Sequence, residues 1–134
     1  MSYWKLIQKT NKMPQIEHFN NGVVEDLWHH CMMLSVDTRK GALFKFEFMG
    51  DHIVKGYGKD ISGQIVEASN MAFPGVGVYK RLQSLVGKPE PVEDSGFFLN
   101  GAGSIVKYRA CFLPFGTDVK GLTNVIVGLN FRAF

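Results

Sequence analysis

Between Leu43 and Met49 the chain sets phenylalanine at positions 44, 46 and 48 and places the charged residues Lys45 and Glu47 between them. A helix would turn Phe46 away from Phe44 and Phe48, whereas a strand puts all three rings on one face. The segment therefore reads as a half-buried strand with Phe44, Phe46 and Phe48 inward. A slip of one residue would expose every ring, so its register is strongly set. Upstream, Asp26 to Asp37 reads as a partner strand. Period two groups Trp28, His30, Met32, Leu34 and Val36 on one face, and His29, Cys31, Met33, Ser35 and Asp37 on the other. Thr38-Arg39-Lys40-Gly41 between the two is a turn, which makes the pair an antiparallel hairpin.

Three more strands are expected in the last third: Pro91 to Leu99, Ser104 to Phe115, and Leu122 to Phe131. Asn100-Gly101 and Thr117 to Gly121 supply the hairpin turns. Val106, Tyr108, Ala110 and Phe112 share one face of the fourth strand; Val125, Val127, Leu129 and Phe131 share one face of the fifth. The middle third reads differently. Gly50 to Gly58 fits one or two helical turns stopped by glycine. Lys59 to Gly63 is a turn, followed by short irregular helix around Ile65 to Ser69. Pro74 opens a helix to about Val86 with Val78, Leu82, Leu85 and Val86 as its apolar side, ended by Gly87-Lys88-Pro89. Ahead of all this, residues 2 to 12 read as a short amphipathic helix, capped by Ser2 and ended by Met13-Pro14. Lys5, Lys9 and Lys12 occupy one side and Tyr3, Leu6 and Ile7 the other. The expected organisation is a lead-in over 1–23 and one α+β domain over 24–134, with one sheet face covered by the middle helices.

The 134 residues suffice for one core, and 46% of them are hydrophobic. The longest apolar run, Ala110 to Phe115, is far below the ~20 residues of a membrane span, and the first residues do not read as a secretory leader. Cytoplasmic residence is the expectation, with Cys31 and Cys111 as buried thiols. The net charge of +3 comes from Lys5, Lys9 and Lys12; the remaining 12 basic residues balance the 12 acidic ones. Three lysines are too few for appreciable nucleic-acid affinity, and no such partner is expected.

Little in the residue pattern resembles catalytic machinery. His29, His30 and Cys31 tempt as metal ligands, but a zinc site needs four converging donors, and alternation splits these three between faces. No metal is expected. His52 with Cys111 or Ser35 has no triad-like spacing. Gly56-Tyr57-Gly58 lacks the third glycine of a dinucleotide fingerprint, and Gly75-Val76-Gly77 reads as a turn. An isomerase-like enzyme using Asp37 or Asp51 as base is the alternative reading, and it needs a buried carboxylate. The sharper expectation is an apolar pocket between sheet and helices, lined by Phe46, Phe48, Met71, Phe73, Tyr79, Leu82, Tyr108, Phe112 and Val127, with the Tyr108 hydroxyl able to orient a small ligand.

Phe46-Glu47-Phe48-Met49-Gly50 through Ile53-Val54-Lys55-Gly56-Tyr57-Gly58-Lys59-Asp60-Ile61-Ser62-Gly63, together with Tyr108 to Phe115 and Ile126-Val127-Gly128-Leu129, resembles the Per-Arnt-Sim (PAS) sensor-domain family. The likeness spans about residues 24 to 132 and is nearest to the stand-alone single-domain bacterial members of alphaproteobacteria. It implies a five-stranded antiparallel sheet in the order 2-1-5-4-3 with short helices on one face. It also implies a non-catalytic sensory or signalling role, exercised as a homodimer or through a signalling-protein partner. Dimer or partner contacts fall to the outer sheet face and the preceding helix, with Tyr3, Leu6 and Ile7 covering Cys31, Met33 and Val92. Flavin and haem are disfavoured. Neither cysteine stands in the Asn-Cys-Arg context of the light-sensing members, and residues 74 to 86 contain no histidine.

Overall fold

The computed structural model describes residues 2–8, 13–19, 25–39, 41, 43–58, 60–66, 75–99 and 103–133. Of these, the side chains of 2, 3, 25, 26, 75–78, 98, 99, 132 and 133 are left undescribed. Helix α1 (Ser2–Gln8) leads through a single 3-10 turn (Ile16–His18) and a short α2 (Glu25–Trp28) into β1 (Cys31–Asp37) and β2 (Leu43–Met49). Then come α3 (Asp51–Tyr57), α4 (Gly75–Gly87), β3 (Val92–Leu99), β4 (Ile105–Thr117) and β5 (Gly121–Ala133). The strands form one antiparallel sheet in the order β2-β1-β5-β4-β3. This is the strand order that the family resemblance implies, while alternation and tight turns account for the strands themselves and their antiparallel hairpins.

The inner face carries Met32, Leu34, Phe44, Phe46, Phe112, Val125 and Val127, all essentially buried. Above it lie Ile53 and Tyr57 of α3 and Leu82 and Leu85 of α4. Val86, expected on the apolar side of α4, is instead exposed; Val78 lies outside the described side chains. Gly58 ends α3 in the left-handed conformation, with φ of 109°, and its N–H reaches the Val54 carbonyl. A Cβ on Gly56 would stand 2.5 Å from the Phe131 ring. That glycine is the reason α3 can lie so close to β5.

Three local expectations are corrected. First, residues 26–30 are not strand. Glu25–Trp28 is a helical turn, closed by the His30 N–H on the Leu27 carbonyl at 2.9 Å, so the shared faces drawn through Trp28, His29 and His30 do not exist. Second, the phenylalanine alternation breaks. Leu34 pairs with Phe46 but Met33 pairs with Phe48, so the strand carries a bulge at Glu47. The extra residue turns Phe48 to the outer face and returns Met49 to the core. There the Phe48 ring stacks on Trp28, with centroids 5.0 Å apart and planes 11° from parallel. The Ser35 hydroxyl donates to the Glu47 carboxylate at 2.7 Å, fixing the bulged residue outward. Third, Ile65 is not helical. It bridges Lys45, and backbone bonds between Phe44 or Phe46 and residues 63, 64 and 66 close the free edge of β2. Residues 67–69, Pro74 and the Asn100-Gly101 turn lie outside the described residues.

Candidate functional site

The side chains expected to line a core pocket come together only in part. Phe46, Leu82, Tyr108, Phe112 and Val127 are buried on the inner face or against it. Tyr79 is half-buried beside them, its ring edge-on to Phe44 at 6.3 Å. Its hydroxyl accepts from the Gln83 amide at 2.8 Å, one helical turn along. Phe48 belongs to the other face, because of the bulge. Met71 and Phe73 lie outside the described residues.

Tyr108 is placed by its strand neighbour. It pairs with Gly96, and a Cβ there would stand 2.9 Å from the phenolic oxygen. Glycine at 96 therefore leaves the ring room to lie over β3. Burial pushes the phenol upward in pKa, and the nearby Asp94 carboxylate adds to it. Asp94 in turn accepts from Arg81 Nε at 2.9 Å, tying α4 to β3. Sequence reasoning missed this Arg81–Asp94–Tyr108 corner, since Asp94 and Arg81 sit on different elements. Alternation along β3 was the one available signal, as it puts Asp94 on the Val92 face. Val92 itself pairs with Phe112 and so faces inward, not outward as expected.

The carboxylates considered as bases stand on the surface. Asp37 is gripped by Arg39 at 2.8 Å, and those hydrogen bonds bring its pKa down to about 2. Asp51 lies 3.6 Å from His29 and is exposed. Among the described residues no polar or charged side chain is buried. The imidazoles of His30 and His52 pack at 4.1 Å where the α2–β1 turn meets the start of α3. No group of three or more His, Cys, Asp or Glu among the described residues is placed to hold a metal ion. No helix among them is long and apolar enough to cross a membrane.

The outer face is where the N-terminal segment lies. Trp4 is buried there and its indole N–H donates to the Pro114 carbonyl at 2.7 Å. Gly116 N–H reaches back to the Pro14 carbonyl at 2.9 Å, and Phe19 packs edge-on to Phe115. Of the residues expected to mediate contacts, Ile7 is half-buried against the core, Leu6 is 73% exposed, and the Tyr3 side chain lies outside those described. Cys31 and Met33 are covered on this face. Trp4 was absent from the expected set because a helix wheel centred on Tyr3, Leu6 and Ile7 passes it by. Both thiols also face outward. Cys31 and Cys111 pair with the same residue, Gly128, from β1 and β4. Two strand spacings, ~9.6 Å, exceed what a disulfide spans, and both thiols are free. Neither is presented to the inner face, so thiol chemistry on a flavin held there has no donor among the described residues.

No family model and no curated protein matches this sequence. Solved structures do match in fold. The light-state dimer of the fungal blue-light photoreceptor Vivid is 8% identical with a TM-score of 0.56, over 97% of this chain and 93% of that one. The PAS domain of an HTR-like protein from Haloarcula marismortui is 13% identical with a TM-score of 0.53, over 85% and 91%. A PAS domain from Colwellia psychrerythraea is 13% identical with a TM-score of 0.52, over 85% and 95%. The chain has a PAS-like fold.

Proposed function

We propose that this protein is a non-catalytic sensory or regulatory module that works through protein–protein contacts at its outer sheet face and N-terminal helix, as a homodimer or with a signalling partner. A small apolar ligand between the sheet and the helices gates those contacts in this reading. The observation that carries it is α1, pinned to the sheet by Trp4 while Leu6 is turned 73% to solvent. A helix of seven residues is marginal alone. Here it is held in place by one side and presents the other. The structurally similar Vivid forms a light-state dimer, which makes self-association the first partner to test. The enzymatic alternative finds less support, since Asp37 and Asp51 stand apart from the inner face and in water.

The test is sedimentation of the wild-type chain and of Leu6→Asp across a range of concentrations. Wild type should dimerise, and the variant should remain monomeric with Trp4 fluorescence unchanged. A wild-type monomer at all concentrations would count against self-association, and pull-down with a native partner would then have to depend on Leu6. Native mass spectrometry of the purified protein reads the gating ligand directly.

A further inference from the structure

The outer face has a property that α1 alone does not explain. Gly128 sits in the middle of β5, between Cys31 and Cys111, and a Cβ placed on it would meet nothing within 4 Å. The missing side chain floors an open groove of about 460 Å³ walled by Trp4, Phe19, Leu113 and Ile126. That volume falls in the range of small-molecule sites. Moving along β4, the groove changes character. At Arg109 and Asn130 it runs into a second hollow of about 450 Å³ that adds Ser95 and Lys107. Lys107 and Arg109 share a face two residues apart, and among the described residues neither lies within ion-pair distance of a carboxylate. Glu93, opposite Cys111 on the Gly128 rung, puts a negative charge beside the groove, and Asp94, which Arg81 holds, also borders it.

We infer that this outer face binds a small amphipathic anion, its apolar body lying over Gly128 and its acidic head at Arg109 and Lys107. The charge pattern sets the direction: the two cations draw the head to the Lys107 end, and Glu93 repels it from the Gly128 rung. Burying the body over Gly128 supplies affinity, and the exposed cations supply orientation and modest selectivity. A medium-chain carboxylate has this chemistry. This reading does not depend on a ligand in the core, although Tyr108 and Phe131 also border the second hollow.

The experiment titrates decanoate into the full chain, reading tryptophan fluorescence and the protection of Cys111 from maleimide. Decanol serves as the neutral control. Decanoate should quench or shift the emission and slow Cys111 labelling. Gly128→Leu, which fills the floor without a backbone clash, should abolish both effects while its melting temperature shows that it folds. Lys107→Ala with Arg109→Ala should weaken decanoate about three- to tenfold and leave decanol unchanged. Binding that survives Gly128→Leu overturns the inference, as does equal loss of decanol and decanoate in the double variant. No binding, with a dimer that Gly128→Leu dissociates, also overturns it and assigns the groove to a second copy. The Leu6→Asp measurement reads the contact function independently, so either can fail alone.

Discussion

Cys31 illustrates how a single position is governed by its surroundings. Its thiol donates to the Leu27 carbonyl at 3.3 Å, and burial pushes its pKa up to about 11, with Cys111 nearby adding to the shift. The neutral thiol is what the fold accommodates. Its contribution to stability is complete below the ordinary thiol pKa and is lost as pH rises through about 11. Alkylation of native Cys31 by iodoacetamide should accordingly be slow at pH 8 and rise toward a midpoint near 11. In denaturant the midpoint should return to about 8.5. Mass spectrometry of pH-jump samples reads both. Cys31 as a buried thiol was legible in its apolar neighbourhood. Its position opposite Gly128 was not, because strand pairing joins residues nearly a hundred positions apart.

At the level of elements, β4 and the N-terminal segment explain each other. β4 runs 13 residues, but its pairing with β3 ends at Phe112. Beyond that point β4 is an edge, which is why Pro114, lacking an N–H, is tolerated. The N-terminal segment takes over: Trp4 bonds the Pro114 carbonyl and Pro14 receives the Gly116 N–H. Trp4→Phe keeps most of the packing and removes the hydrogen bond, leaving a buried carbonyl unsatisfied. The expected cost is about 1–3 kcal/mol, read as a lower midpoint in urea with an unchanged slope. The extents of β2 to β5 were legible in the sequence to within two residues, whereas the start of β1 and the bulge at Glu47 were not. Alternation from Phe44 to Phe48 is unbroken on paper, and only pairing with β1 reveals that Phe48 changes sides.

On the scale of the whole molecule, the sheet is covered on both faces, by α3 and α4 within and by the N-terminal segment without. Truncation to residues 24–134 should uncover Phe115 and Ile126 as Trp4, Met13 and Phe19 are lost. A loss of at least about 3 kcal/mol is expected from the tryptophan alone. Calorimetry should show a lower melting temperature, and a dye that reports exposed apolar surface should bind the truncated chain and not the intact one. A truncation as stable as the full chain would mean that the segment rests on the sheet without stabilising it.

The order β2-β1-β5-β4-β3 was legible only through the likeness to the PAS family, whereas the pattern of side chains along the chain was enough to determine five strands and their antiparallel sense. Those follow from period, turn chemistry and length, all properties of neighbouring residues. Which face receives Phe48, which residue anchors α1, and the hollow over Gly128 were decided only by the folded structure. Each arises where distant segments meet, and period-two alternation has no means of encoding the partner.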